Sequence, residues 1–200
     1  MINELAKQVH QKFRPILFST PMVQAIVEGR KTMTRRKVKP PFSDWVTDEN
    51  LLTKWGEGIN SQCRYGKVGD VLWVRETWQK VNGNEYLFKA NSLGDNLKWK
   101  PSIFMPKAAC RIFLEITDIK VERLKDISED DAIAEGIERI PGLPFVVRWK
   151  DYTHDDNELL YARNSFKSLW VKINGAKSLS ANPFVWVISF KKITKPQNFK

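Results

Sequence analysis

Three strand-like runs, far apart along the chain, constrain the fold more than any other feature. Val71–Trp78 alternates between apolar and polar positions, and Ala109–Leu124 alternates over a span long enough for one bent strand or two. Phe184–Ile193 is apolar over most of its length, which predicts a strand in the centre of a sheet. Because helical patterns are few, we expect an α+β fold built as a mixed β-barrel with capping helices.

Shorter elements lie between these runs. Thr20 and Pro21 predict the start of a helix, and Gly29 predicts its end in a left-handed conformation. Ser128 is expected to cap an acidic helix ending at Gly136, with Asp131 completing a capping box. The remaining predicted elements are strands at Arg14–Ser19, Thr32–Val38 and Glu85–Ala90, and a helix at Asn157–Ile173.

These elements predict one domain over residues 14–194. A helical extension is expected over residues 1–13, where Ile2, Leu5, Ala6 and Val9 share one face, and a basic tail over residues 195–200. A long loop or insertion is expected near residues 40–67, where Pro, Gly and Asn interrupt the periodic patterns. No apolar run is long enough for a bilayer and the N-terminus has no apolar signal core, so we expect a cytoplasmic protein without a membrane partner.

The formal charge of +10 and the pI near 9.6 favour polyanionic partners, such as RNA, another nucleic acid or a nucleotide. Eight tryptophans could supply flat faces for base stacking. The two cysteines, Cys63 and Cys110, and the two histidines have no metal-ligand spacing. We therefore predict two reduced buried thiols and no metal or other cofactor.

The segment Gly29–Arg36 is the strongest candidate for chemistry. Six basic residues fall within ten positions: Arg30, Lys31, Arg35, Arg36, Lys37 and Lys39. Strand alternation would send Thr32, Thr34 and Arg36 to one face, beside Lys31 at the turn. A lysine that is desolvated or crowded by cations has a lowered pKa and can act as a base, with Thr34 as the nearby nucleophile or proton relay.

This segment resembles the turn that characterises ASCH domains. Gly69-Asp70, the acidic helix Ser128–Gly136 and the strand Phe184–Phe190 resemble further elements of that group, in the same order. Trp73–Trp78 and Lys100–Pro106 are similar to larger phage and prophage members. The resemblance implies a PUA-like barrel and an association with RNA or modified nucleosides. Compared with the compact members of the group, the chain is expected to carry additions at the N-terminus and near residues 40–67, 86–107 and 142–157. One branch of the group hydrolyses acetylated cytidine with a lysine, a threonine and a glutamate, which correspond here to Lys31, Thr34 and Glu135.

Two interpretations of this trio stay open at the level of sequence. Lys31, Thr34 and Glu135 form a catalytic group, or Glu135 only pairs with Lys31 to hold the turn in shape. The expected function is a nucleoside- or RNA-directed hydrolase of the acyl-cytidine type. The alternatives are a non-catalytic RNA or modified-base binding protein and, third, a ribonuclease. The expected binding residues are Gly29, Arg30, Arg35, Arg36, Trp73, Arg75, Glu76 and Trp78.

Overall fold

The structure is a computed structural model that describes residues 11–44, 46, 47, 49, 58, 62–83, 85–92, 97–141, 145–154 and 157–199. In these residues ten strands and four α-helices are formed. The strands are β1 (Phe13–Leu17), β2 (Met33–Lys37), β3 (Val71–Arg75), β4 (Trp78–Lys80), β5 (Tyr86–Phe88), β6 (Phe113–Arg123), β7 (Arg139–Ile140), β8 (Arg148–Lys150), β9 (Glu158–Leu159) and β10 (Phe184–Ile193). The helices are α1 (Thr20–Val27), α2 (Glu129–Ala134), α3 (Ala162–Asn174) and α4 (Ala176–Ser180).

A five-stranded mixed sheet in the order β1-β3-β6-β10-β2 organises the fold. Strands β1 and β3 are parallel, and the other pairs are antiparallel. In a flat sheet the two edge strands would lie about 19 Å apart, four spacings of ~4.8 Å. Here Arg36 of β2 donates from Nη2 to the backbone oxygen of Leu17 in β1 at 2.7 Å, so the sheet curls until its edges meet through a side chain.

The predicted α+β class is confirmed, with a mixed sheet and a few helices. The described strands do not close into a barrel through backbone pairing, because β1 and β2 share no ladder. The barrel therefore stays a prediction. No helix in the described part of the chain is long and apolar enough to cross a membrane.

The central strand β10 is buried on both faces, as its apolar sequence predicts. Trp186 and Ile188 point into a core inside the curl of the sheet, together with residues of β1, β3 and β6. Val185 and Val187 point to the other side, where they pack in a second cluster with α2 and α3. The second cluster is important for the site because it fixes both helices against β2.

Two small sheets accompany the central one. Strands β4 and β5 form a hairpin, and β7, β8 and β9 form a three-stranded sheet at the predicted insertion of residues 142–157. Much of the predicted insertion at residues 40–67, parts of those at 86–107 and 142–157, and residues 1–10 of the predicted extension lie outside the described residues.

Several predicted details of the elements are confirmed. Gly29 has a φ of 80° directly after α1, and the Ser128 hydroxyl accepts a hydrogen bond from the Asp131 backbone N–H at 3.1 Å. The other half of the capping box is not formed, because the Asp131 carboxylate binds Arg35 instead. The N-cap of α1 is Ser19, one residue before the predicted Thr20.

Other predicted bounds were wrong. The strand predicted to reach Trp78 ends at Arg75, because the Glu76 backbone N–H donates to Met105 Sδ instead of a neighbouring strand. The helix predicted over 157–173 begins at Ala162, since Glu158–Leu159 pairs with β8.

The alternating run predicted from Ala109 is one strand, β6, which starts at Phe113.

The C-terminal tail packs against the central sheet, because Phe199 is buried against Phe13 and Phe113.

Candidate functional site

Two turns approach each other closely to form the site. Lys31, after α1, and Glu135, after α2, face each other as an isolated antiparallel bridge, and the Thr32 N–H donates to the Ala134 oxygen at 2.9 Å. Gly136 has a φ of 79°, and a Cβ added there would lie 2.6 Å from the Lys31 Cβ. Only glycine therefore fits both the backbone conformation and the space at this position.

Lys31 and Glu135 form a buried ion pair. The Lys31 Nζ donates to Glu135 Oε2 and to the Glu135 backbone oxygen, each at 2.8 Å. The two residues are only 2% and 6% exposed. Burial lowers the pKa of Lys31 from its ordinary value, and the charge of Glu135 offsets this shift only in part. Lys31 therefore releases its proton more readily than a lysine in water.

Arg35 holds Glu135 from the other side. Its guanidinium is fully buried and lies 2.6 Å from both Glu122 Oε1 and Asp131 Oδ2, and 3.4 Å from Glu135 Oε1. Burial alone would lower the pKa of Arg35, but the charges of Glu135 and Glu122 raise it overall. Because three carboxylates surround this cation, it holds the site in shape. Arg35 is therefore not free to bind a phosphate, contrary to the binding role that the sequence had suggested.

Thr34 lies in the wall of a cavity beside this pair. The cavity measures about 100 Å³ and is lined by Thr34, Arg36 and Glu135 from one side and by α3 from the other. Thr34 is 3% exposed, and no described residue hydrogen-bonds to its hydroxyl. The hydroxyl is therefore not committed to the backbone of the fold.

A wider pocket adjoins the cavity. It measures about 310 Å³ and shares Met22, Glu135, Leu169 and Ile173 with the inner cavity. Its volume reaches the lower end of the ~300–1,000 Å³ typical of ligand pockets. Polar and charged groups line its outer part: Ser19, Arg30, Glu138, Lys150, Tyr152 and Lys172. The cavity and the pocket together, between α1 and α3, are named the Glu135 cleft.

Arg36 is positioned as a donor in the cavity wall. Its Nη2 donates to the Leu17 oxygen, while its Nε is buried and has no hydrogen-bond partner among the described residues. The guanidinium lies 5.0 Å from the ring centre of Phe18, and Lys31 Nζ lies 5.7 Å from the same ring. Burial lowers the pKa of Arg36 from its ordinary value. A guanidinium that lines a cavity can bind a carbonyl or phosphate oxygen.

The remaining predicted binding residues divide between the cleft and other places. Gly29 is exposed, and Arg30 at the cleft mouth binds Glu28 and the Gly136 oxygen. Trp78 is 6% exposed and packs against Tyr86, so it is not open to a base.

Glu76 and its neighbours on β3 also lie apart from the trio. Glu76 is 1% exposed, and both of its oxygens accept hydrogen bonds from Arg111 at 2.9 Å. Trp73 and Arg75 are both half-buried, and the Cζ atom of Arg75 lies 5.6 Å from the ring centre of Trp73.

Sequence reasoning did not identify several residues that build the site. Asp131, Glu122 and the α3 side chains Phe166 and Trp170 come from separate elements, and no local spacing relates them to Lys31. Gly136 could have been found, since a glycine directly after the helix that supplies Glu135 is a sign of close approach.

The cysteines take no part in the cleft. Both are free and buried, as predicted, and burial raises the pKa of the Cys110 thiol to about 11. Among the described residues no group of three or more His, Cys, Asp or Glu side chains could hold a metal ion.

The fold and the cleft define an α+β protein with a buried Lys–Glu pair beside a pocket lined by both apolar and charged side chains. No family model matches the chain, and no curated protein matches it. The crystal structure of protein EF3133 from Enterococcus faecalis V583, described as family DUF984, is similar to it with 13% sequence identity and a TM-score of 0.43. The likeness covers 100% of this chain and 93% of that chain, but it is too low to support an inference about function.

Proposed function

We propose that the chain is a nucleoside- or RNA-directed amidohydrolase of the ASCH group, acting on an acyl-cytidine-type amide in the Glu135 cleft. One observation carries the proposal: Thr34 and Glu135 line the same cavity, and Glu135 holds the Lys31 ammonium at 2.8 Å. Two of the three groups suited to acyl transfer, Thr34 and Glu135, thus come from distant parts of the sequence to one hollow, and Lys31 is joined to them through its ion pair with Glu135.

The environment of each group suits a separate part of amide cleavage. Burial favours the neutral form of Lys31, which can then accept the proton of the Thr34 hydroxyl as its oxygen attacks the acyl carbon. Arg36, which lines the cavity, can supply an N–H donor that stabilises the resulting oxyanion.

Collapse of this intermediate breaks the C–N bond, and the amine leaves with a proton passed through Glu135. Water then attacks the Thr34 ester. This step releases the carboxylic acid, restores the Thr34 hydroxyl and leaves Lys31 in its starting protonation state.

Hydrolysis of N4-acylcytidine, supplied as a free nucleoside and within a short RNA, tests this function directly. Thr34→Val removes the hydroxyl at nearly constant volume, and Thr34→Ser is the matched variant that retains it. We expect Thr34→Val and Lys31→Met to lower kcat by about 10²- to 10⁴-fold, the contribution of a positioned proton-transfer group, with Thr34→Ser close to the parent. Absence of acid release from either substrate, or equal turnover by Thr34→Val, would refute the amidohydrolase.

A second candidate, a non-catalytic reader of RNA or of a modified base, is favoured by a different observation. Lys31 is almost fully buried and does not line the cavity, so its pairing with Glu135 could serve only to shape the cleft. This reader would bind cytidine derivatives without forming product, and Arg36→Gln would weaken binding. Isothermal titration with a non-hydrolysable cytidine derivative separates the two functions.

We also propose that the curled sheet is the core of a PUA-like barrel. The link from Arg36 to Leu17 between the two edge strands supports this assignment. Membership of the ASCH group rests on the ordered sequence resemblances from Gly29 to Phe190 together with this arrangement.

A further inference from the structure

A rigid turn beside β3 exposes two large apolar side chains. Ile103 is 58% exposed and Phe104 is 68% exposed. The turn is held by hydrogen bonds from the Phe104 N–H to the Pro101 oxygen and from the Met105 N–H to the Ser102 oxygen. Met105, only 1% exposed, anchors it in the third cluster of the core. The exposure of Phe104 is thus imposed by the fold itself.

Basic residues surround this turn. The sequence from Leu97 to Leu114 contains Lys98, Lys100, Lys107 and Arg111, and no aspartate or glutamate. Arg111 is paired with Glu76, but none of the three lysines has a carboxylate partner among the described residues. The Arg75 guanidinium contacts the Ile103 backbone oxygen and so borders the same turn. Together Arg75, Lys98, Lys100, Ile103, Phe104 and Lys107 form what we name the Phe104 surface.

Lys100 and Lys107 lie over the rings of Trp78 and Phe199, at 5.2 Å and 4.5 Å, and have no carboxylate partner among the described residues. The combination of an exposed ring with such cations narrows the type of partner. The cores of protein interfaces are depleted of charge, and lysine in particular is depleted there. Proteins that bind single-stranded nucleic acid combine aromatic faces, which stack on bases, with cations that track the phosphates. A double helix would hide the base faces from Phe104. We propose that the Phe104 surface binds single-stranded nucleic acid, with a base on Phe104 and phosphates at Lys100 and Lys107.

The Phe104 surface is linked to the Glu135 cleft through the C-terminal end of β1. Leu17 pairs with Arg75 across β1 and β3, and its oxygen accepts a hydrogen bond from Arg36 in the cleft wall. The Phe104 surface and the wall of the cleft are therefore connected by a short chain of contacts through Leu17. The binding itself requires no chemistry there, so it can hold or fail separately from the proposed hydrolase.

Fluorescence anisotropy with an unmodified, labelled single-stranded RNA tests the surface without any turnover. We expect Phe104→Ala to weaken binding by about 5- to 140-fold, the loss of one stacked base, while Phe104→Trp retains it. The matched control is Phe145→Ala, because Phe145 is 95% exposed on the β7–β8 connection, and it should leave the Kd unchanged.

The phosphate contacts have their own test. Lys100→Gln combined with Lys107→Gln should reduce the slope of log K against log salt by about 1.4, two contacts at ~0.7 each. Lys167→Gln combined with Lys177→Gln, on α3 and α4, is the charge-matched control with an unchanged slope. A labelled DNA strand of the same sequence shows whether the 2′-hydroxyl matters.

Four results would overturn the proposal. They are an absence of RNA binding by the parent protein, equal affinity of Phe104→Ala, equal loss with Phe145→Ala, and binding of the duplex form as tightly as the single strand. Sedimentation of the protein alone gives a fifth, since self-association abolished by Phe104→Ala would assign the turn to a protein contact. Failure of acyl-cytidine hydrolysis would leave these binding results unaffected.

Discussion

Gly136→Ala perturbs the contact between the two turns that bring Lys31 and Glu135 together. A methyl group at this position would meet the Lys31 Cβ at 2.6 Å, the Ala25 Cβ at 3.0 Å and the Lys31 Cα at 3.2 Å. These neighbours are main-chain or Cβ atoms, so a change of rotamer cannot relieve the overlap. The turns that carry Lys31 and Glu135 must therefore move apart.

The expected cost has two parts. A non-glycine residue in the left-handed region costs about 1–2 kcal/mol, and an extra methyl in a well-packed site costs about 1–3 kcal/mol more. The free energy of unfolding should therefore fall by about 2–5 kcal/mol. For a chain of this size this corresponds to a Tm lowered by roughly 4–20 °C, at 2–4 °C per kcal/mol.

Gly29→Ala provides the matched control in the same chain. Gly29 has a φ of 80°, almost equal to that of Gly136, but no atom of the described residues lies within 4 Å of its added Cβ. Its substitution should cost only the backbone part, about 1–2 kcal/mol. Urea unfolding followed by tryptophan fluorescence measures both variants. Equal destabilisation of the two would show that the close approach at Lys31 does not exist.

Three further outcomes are expected. Glu135→Gln removes the charge that raises the pKa of Lys31, so this pKa falls further. Between that lowered pKa and pH 10.5 the folded state binds fewer protons than the unfolded state. The loss of unfolding free energy in urea should therefore be larger at pH 7 than at pH 9.5. A loss independent of pH would contradict a buried Lys31. Arg35→Met leaves three carboxylates around an uncharged side chain and should lower the free energy of unfolding by about 3–5 kcal/mol. The control Arg30→Met removes an exposed pair with Glu28 and should cost less than ~1 kcal/mol. Chemical denaturation of both variants decides this, and similar losses would refute the network. The Cys110 thiol is buried and its pKa is raised to about 11. At pH 8 it should therefore react with a disulfide reagent orders of magnitude more slowly in the folded protein than in urea. Comparable reaction rates in the two states would disprove its burial.

The sequence alone predicted the parts of the fold that depend on local patterns. Phe184–Ile193 was expected to be a central strand because its residues are apolar on both faces, and β10 lies between β6 and β2. Gly29 and Ser128 were located correctly, since left-handed caps and hydroxyl N-caps are determined by residues within a few positions. The proximity of Lys31 to Glu135 was expected from family resemblance, and no spacing rule could have provided it.

The tertiary structure decided which cations remain free. Arg30, Arg35 and Arg36 look alike in a basic segment of the sequence. In the structure Arg30 pairs with Glu28 at the surface, and Arg35 is enclosed by carboxylates from β6 and α2. Arg36 lines the cavity, and its Nε has no hydrogen-bond partner among the described residues. The exposure of Phe104 and the burial of Trp78 likewise depend on packing between distant segments. The reason is physical: chain periodicity sets which face a side chain occupies, but its partners come from whichever elements the long-range fold brings against that face.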